Sequence, residues 1–129
     1  MDVDIDQLPQ TAAEISEIVG IDAALRLVDA WGGVRIYVPR QIPDDHLLIS
    51  TLGREEAELL AEHYGGETIL IPRCLAALRA VRNARICRER SEGHGIAVLA
   101  LRYRLTERQV YAVLAASDAV ADDRQQSLF

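Results

Sequence analysis

Hydrophobic residues recur along this chain in two patterns, one typical of amphipathic helices and the other of short strands. Helical spacings of three and four residues occur over residues 11–19, 22–31, 43–52, 55–64 and 74–90. Short segments rich in β-branched and aromatic residues occupy 34–38 and 68–71. The pattern therefore predicts a mainly α-helical fold with a small two-stranded β element.

An internal repeat underlies the first half of the chain. Residues 17–41 align without gaps with residues 50–74 at a constant offset of 33. Each copy reads as a helix, a Gly-Gly pair, a strand and a Pro-Arg pair, and Trp31 matches Tyr64. Two strands of about five residues do not form a stable sheet alone. They must pair with each other or with the same strands of another chain, and the sequence leaves both arrangements open.

Local signals suggest how these elements begin and end. Thr11 and Glu14 have the spacing of a capping box, and Asp22 is placed to cap the next helix. Gly32 is expected to supply the left-handed residue that ends that helix. No GxGxxG or GxxxxGK[ST] motif occurs, so we interpret both Gly-Gly pairs as structural.

Two predicted helices joined by a tight turn come after the long helix over 74–90. Residues 96–103 are strongly apolar, which predicts a helix buried on most sides. Arg104 and Leu105 form the turn, and Thr106 with Gln109 has capping-box spacing at the start of the next helix. Val110, Val113 and Leu114 form its inner face. Residues 95–116 thus have the layout of a helix-turn-helix.

Charge is distributed unevenly along a chain whose net charge is -6. Residues 1–72 hold 4 arginines and 14 acidic residues, whereas residues 73–108 hold 9 arginines and 3 acidic residues. Every basic residue is Arg, which binds phosphates and guanine edges bidentately. The basic block overlaps the predicted helix-turn-helix, an asymmetry that points to nucleic acid. It also suggests two domains, residues 1–72 and residues 73–129.

Helix-turn-helix geometry assigns roles to the residues of the basic block. The first turn of the second helix faces base edges in the major groove, so Arg108 and Gln109 are candidates for base reading. Thr106 is a candidate for a phosphate contact through its hydroxyl. The other candidates for contact with the DNA backbone are arginines of the two preceding helices, namely Arg79, Arg82, Arg85 and Arg102.

Other kinds of chemistry find little support in the sequence. Cys74 and Cys87 form no CxxC motif, so we expect reduced thiols and no metal site or cofactor. His46, His63 and His94 are scattered without an HExxH motif or a catalytic order, which argues against an enzyme. No apolar run is long enough to span a membrane. The acidic start lacks a basic n-region, so we expect a cytoplasmic protein with no secretory signal.

The assembled motifs resemble the Mor/C family of transcription activators of Mu-like phages. The resemblance rests on Gly-Gly-x-x-Ile-x-Ile-Pro-Arg at residues 65–73, the Arg-rich helix at 79–90, and Leu-Ala-x-Arg-Tyr-x-Leu-Thr-x-x-x-Val-Tyr at residues 99–111. It implies a homodimer in a bacterial host cell that binds double-stranded DNA, activates phage or prophage genes and recruits host RNA polymerase. It implies that Tyr111 also faces the DNA and reads bases. It also places the strands in a dimerisation region, at positions Ile36, Tyr37, Ile69 and Ile71.

This chain departs from the family pattern in three ways. Arg104 stands in the turn where Gly is common, although a positive φ costs Arg more than Gly. The tail from Ala115 onwards is acidic where basic residues are typical. The Gly-Gly-strand-Pro element occurs twice, which suggests that two copies in one chain could replace those of a dimer. The alternative to a DNA-binding protein is a protein-interaction module with a degenerate helix-turn-helix.

Overall fold

The computed structural model describes the backbone of residues 8–127 and the side chains of residues 8–117. The acidic start over residues 1–7 and the three aspartates of the acidic tail, at 118, 122 and 123, lie outside the described side chains. The described chain forms two compact units, residues up to Val81 and residues from Arg82. The division falls inside the long Arg-rich helix, nine residues after the domain boundary that composition suggests.

The fold is mainly helical with one two-stranded sheet, as the hydrophobic pattern predicts. Along residues 8–127 the elements are α1 (Gln10–Val19), α2 (Ile21–Trp31), β1 (Arg35–Val38), α3 (Leu47–Leu52), α4 (Arg54–Tyr64), β2 (Glu67–Leu70), α5 (Leu75–Ser91), α6 (Ile96–Tyr103) and α7 (Glu107–Ser127). The first unit contains α1 to β2 and the start of α5, and the second contains the rest.

The two short strands pair with each other in an antiparallel ribbon, which settles their pairing in this structure. Arg35 lies opposite Leu70, Ile36 opposite Ile69, and Tyr37 opposite Thr68. Around the ribbon, α1 packs against α2 and α4, and α3 packs against the same two helices. Burial of apolar faces on all four helices supplies most of the stabilisation that two four-residue strands lack.

Several predicted helix ends are wrong in detail. Pro9, not Thr11, is the N-cap of α1, and no side chain caps that helix. Gly20 precedes α2, so Asp22 lies in its first turn and pairs with Arg26 at 3.0 Å. The left-handed glycine after α2 is Gly33, with φ +86°, whereas Gly32 has φ −54°.

Other boundaries differ from the prediction for identifiable reasons. The helix predicted over 43–52 is only α3, because His46 accepts a hydrogen bond from the backbone N–H of Leu48 and caps it there. The strand predicted over 68–71 begins and ends one residue earlier, at Glu67 and Leu70. The last helix continues to Ser127 because no Gly or Pro interrupts residues 107–127.

Candidate nucleic-acid interface

The turn between α6 and α7 is fixed by the backbone. The N–H of Arg104 and the N–H of Leu105 both bond to the carbonyl of Ala100, the latter at 2.9 Å. Both bonds satisfy the carbonyl of Ala100, and the one from Leu105 is of the kind that closes a Schellman motif. It places Arg104 in the left-handed region, with φ +53° and ψ +46°. The predicted positive φ is therefore present, and Arg104 is the one such non-glycine residue in the described chain.

A reciprocal capping box begins α7, as the spacing of Thr106 and Gln109 predicts. The N–H of Gln109 donates to Oγ1 of Thr106 at 3.1 Å. In return, Oε1 of Gln109 accepts from the N–H of Thr106 at 2.9 Å. Two backbone donors that the helix cannot satisfy are thus bonded, and the first turn of α7 is held in one conformation.

The first turns of α7 project polar and aromatic side chains into solvent. Glu107, Arg108 and Gln109 are exposed, and Tyr111 is 59% exposed. The opposite side of the helix carries Val110, which is fully buried. A surface of this kind, ordered by a cap and free of apolar packing, is able to enter a groove of a partner molecule.

Glu89 joins the end of α5 to α6. Its carboxylate accepts a hydrogen bond from the hydroxyl of Tyr103 at 2.8 Å and forms an ion pair with Arg102 at 3.2 Å. Burial of the phenol, with the hydrogen bond to Glu89, raises the pKa of Tyr103 to about 12. Glu89 was not among the predicted site residues, although it is the only acid between Arg73 and Arg90.

The arginines predicted to contact a DNA backbone occupy different environments. Arg79 is exposed and lies on the part of α5 that belongs to the first unit. Arg82 and Arg85 are half-buried, and Nε of Arg82 donates to the side chain of Asn83 at 3.1 Å. Arg102 is 41% exposed and is held by Glu89. These four side chains are thus divided between the two units, with Arg79 in the first and the other three in the second.

Two exposed arginines of the second unit differ from these. The guanidinium groups of Arg88, on α5, and Arg108, on α7, make no hydrogen bond or ion pair with the described residues. Nearby, Arg90 donates to the carbonyl of His94 at 3.0 Å and so fastens the loop before α6. The basic block thus contains both structural arginines and arginines available to a partner.

The expectation that α6 is buried on most sides is wrong. Leu99, Ala100 and Tyr103 are buried, but Val98 is 47% exposed and Leu101 is 82% exposed. Buried positions recur every three to four residues because only one face of this short helix packs. An apolar sequence over eight residues therefore did not distinguish a buried helix from one with an open apolar side.

The residues predicted to lie in dimerisation strands are in the first unit. Ile36 and Ile69 are half-buried partners in the ribbon, and Tyr37 is 58% exposed. Ile71 is fully buried just beyond the end of β2. All four belong to strands, or to the end of a strand, that pair within one chain.

Three further observations concern thiol chemistry, metal binding and membrane insertion. Both cysteines are free, and burial raises the pKa of the Cys74 thiol. Among the described residues, no cluster of His, Cys, Asp and Glu side chains has the size of a metal site. In the same part of the chain, no helix is both long and apolar enough to cross a membrane.

Comparison with known proteins gives one result. The profile of the Mor transcription activator family matches residues 44–128, well over half of the chain. The match begins just before α3 and includes α4, β2 and all of the second unit's helices. No curated protein and no solved structure matches the chain significantly. The chain belongs to the Mor transcription activator family, and its role is in the regulation of transcription.

Proposed function

We propose that this protein is a sequence-specific DNA-binding activator of transcription, and that α6 and α7 act as its helix-turn-helix. The observation that carries the proposal is the capping box of Thr106 and Gln109, which orders an exposed first turn on α7. In helix-turn-helix proteins this turn of the second helix contacts base edges in the major groove. Membership of a transcription activator family supports the same role.

Arg108 is the leading candidate for base reading. Its side chain is exposed on the first turn of α7, and a guanidinium can donate two hydrogen bonds to guanine O6 and N7. Tyr111 lies one turn further along the same helix and is also exposed. Its ring can contact a thymine methyl group, and its hydroxyl can donate or accept.

The capping box changes the roles of its own two side chains. Adenine recognition by a glutamine uses the amide oxygen and the amide nitrogen together. The oxygen of Gln109 already accepts from Thr106, so its Nε2 is the group left to donate to a base. The hydroxyl of Thr106 accepts from Gln109 and keeps its own hydrogen to donate to a phosphate.

Exposed arginines are the candidates for contacts with the DNA backbone. Arg79 and Arg88 are exposed on α5, and Arg82 and Arg85 are partly accessible there. Arg102 would have to leave Glu89 to reach a phosphate, so we assign it a smaller share. Each phosphate neutralised in this way releases counterions, which makes binding fall steeply with salt.

The wider role is the one typical of the family. We propose that the bound protein recruits host RNA polymerase at promoters of phage or prophage genes, in the cytoplasm of a bacterial host. Transcription in vitro from a promoter that contains the binding site would test activation. A rise in transcript only when both site and protein are present is the expected result, and a fall would indicate a repressor.

DNA binding itself is tested by fluorescence anisotropy with a random duplex at low and moderate salt. We expect binding at low salt and a marked loss as salt rises, with a slope of about 0.9 per phosphate contacted. No binding at low salt would overturn the proposal and favour a protein-interaction module instead.

Sequence reading is tested by variants at a site selected from random DNA. Arg108→Ala should lose discrimination worth about 1–3 kcal/mol, roughly 5–150-fold, at one base position. Arg88→Ala should weaken all sequences alike, because a phosphate contact carries no sequence information. The control is Arg54→Ala, which should leave binding unchanged. Arg54 is an exposed arginine of the first unit and is paired with Glu58. Equal loss of all sequences in Arg108→Ala would reject its assignment to base reading.

A further inference from the structure

The two copies of the repeat have the same backbone conformation. Helices α2 and α4 each have 11 residues, and their ends are 33 positions apart. The glycines before them, Gly20 and Gly53, have φ/ψ of +89°/157° and +95°/159°. The second glycines of the two Gly-Gly pairs, Gly33 and Gly66, both have φ +86°. The sequence repeat is therefore also a structural repeat.

The copies pair about a local twofold axis. Ile36 and Ile69 occupy equivalent positions in the repeat and lie directly opposite each other in the ribbon. Gly33 donates to the carbonyl of Ile71 at 2.7 Å, and its equivalent Gly66 donates to the carbonyl of Val38, also at 2.7 Å. An arrangement in which residue i contacts j while the equivalent of i contacts the equivalent of j is isologous, as in a twofold homodimer.

Side chains beyond the strands have the same symmetry. The side chain of Arg73 lies against Gly33, and that of Arg40 lies against Gly66. Leu27 and its equivalent Leu60 are both fully buried. Equivalent residues of the two copies therefore make equivalent contacts, and equivalent core leucines of both are buried within one chain.

The two copies lead into different parts of the chain. After β2 the chain continues into α5, α6 and α7, whereas after β1 it leads into α3 and the second copy. The family profile begins at residue 44, so it includes the second copy and the helices after it but not the first copy. The first copy is thus an addition to the family's matched segment, and it carries no helix-turn-helix of its own.

From these observations we propose that residues 10–41 take the place of a partner subunit. The protein is then a monomer whose closed platform carries a single helix-turn-helix, and it binds one undivided DNA site instead of a dyad. The first part rests on the symmetry of the first unit alone. The second part, the single DNA site, also rests on the proposed function.

Covalent connection favours this arrangement over pairing between chains. Two copies joined by a short linker meet at an effective concentration on the order of millimolar. Pairing between separate chains depends on a protein concentration that is usually far lower. Since the strand edges that pair in β1 and β2 are already occupied by each other, a second chain would have to displace an intact ribbon.

The mass of the full chain in solution tests the platform. Size-exclusion chromatography with light scattering should give 14.3 kDa from dilute to concentrated samples. A stable species of twice that mass would overturn the proposal, whichever surfaces hold it together. This measurement needs no substitution and so does not depend on a variant that folds.

A cross-link tests the pairing directly. Tyr37 and Thr68 lie opposite each other across the ribbon and are exposed. In a background with Cys74→Ala and Cys87→Ala, the pair Tyr37→Cys and Thr68→Cys should oxidise to a disulfide within one chain. A disulfide-linked dimer on a non-reducing gel would show strands exchanged between chains and would overturn the proposal. Tyr37→Cys with Arg54→Cys is the control that should not cross-link.

Selection from a random duplex pool, and then the mass of the complex, tests the DNA site. We expect one asymmetric motif bound by one chain. A palindromic motif bound by two chains would overturn the single-site proposal. Failure to enrich any motif would count against the proposed function, while the mass of the free chain would still decide whether the platform is monomeric.

Discussion

The two units of this chain are stabilised in different ways. Among the described side chains, eight of the eleven large ones that are fully buried lie in the first unit, and Ile86, Leu99 and Val110 lie in the second. Beside its smaller core, the second unit has polar contacts that hold its short helices, namely the Glu89 pairings and the Thr106–Gln109 box. A repeated apolar core makes a stable platform, whereas a small core with polar fastenings leaves the surface of α7 available for a partner.

The largest expected effect is loss of a core leucine in the first unit, which forms the platform of the paired repeats. Leu27→Ala and Leu60→Ala each remove a fully buried side chain and should cost about 3 kcal/mol in the free energy of unfolding. Because the two positions are equivalent in the repeat, the two costs should agree within about 1 kcal/mol. Chemical denaturation with urea measures both.

A large difference between the free energies of unfolding of these two variants would show that the two copies do not contribute equally to the stability of the core. The exposed leucine of the second unit provides the control. Leu101→Ala removes a side chain that is 82% exposed, so stability should change by less than about 0.5 kcal/mol.

The next effect concerns the left-handed glycines of the platform. Gly33→Ala introduces a Cβ at φ +86° and against the side chain of Arg73, and should cost about 1–2 kcal/mol. Gly66→Ala meets Arg40 in the same way and should cost a similar amount. Thermal denaturation of both variants measures the effect.

A second substitution separates the two causes of that cost. Gly33→Ala in an Arg73→Ala background relieves the contact but keeps the backbone strain. If the double variant were as stable as Arg73→Ala alone, strain at φ +86° would not be the cause. In the second unit a residue with a side chain, Arg104, already has a positive φ.

Arg104→Gly is expected to stabilise the second unit by a smaller amount. A left-handed arginine costs roughly 1 kcal/mol relative to glycine, and the greater freedom of glycine in the unfolded chain offsets part of the gain. We expect a net gain of about 0.5 kcal/mol. Arg104→Ala removes the same side chain but keeps the strained φ, so it should give no gain, and hydrogen exchange of α6 amides would detect the difference.

The two candidate capping boxes show how far the sequence alone could predict local structure. Thr106 and Gln109 form one because a box of this kind depends only on residues three positions apart. Thr11 and Glu14 have the same spacing, but Pro9 begins that helix and Glu14 instead accepts from the hydroxyl of Tyr64 at 2.7 Å. A partner 50 residues away cannot be read from local spacing.

The positions of the helices and strands in the first unit were predicted well, because the repeat presents the same hydrophobic pattern twice. The exposure of Leu101 was not predicted, because apolar residues indicate burial only when a second surface is known. The intrachain pairing of the strands was one of two alternatives, since period and propensity do not say which chain supplies a partner. The Glu89 pairings were missed because they join positions 13 and 14 residues apart, on different helices.

The last expected effect is on the pH dependence of stability in the second unit. The pKa of Tyr103 is raised to about 12 in the folded protein, so the unfolded chain loses this proton first as pH rises. The stability that the Tyr103–Glu89 bond contributes is therefore complete below about pH 10 and is lost as pH rises toward 12. Tyr103→Phe removes the donor to a largely buried carboxylate and should cost about 1 kcal/mol at neutral pH.

In Tyr103→Phe the loss of stability between pH 10 and 12 should be shallower than in the wild type, as measured by urea unfolding across that range. Tyr64→Phe is the parallel variant in the first unit and should also show a shallower loss, because Tyr64 makes the same kind of bond to Glu14 and its pKa is also raised by burial. Equal slopes for the wild type and Tyr103→Phe would mean that this polar fastening contributes nothing to the alkaline stability of the second unit. The contrast between the two units would then rest on their cores alone.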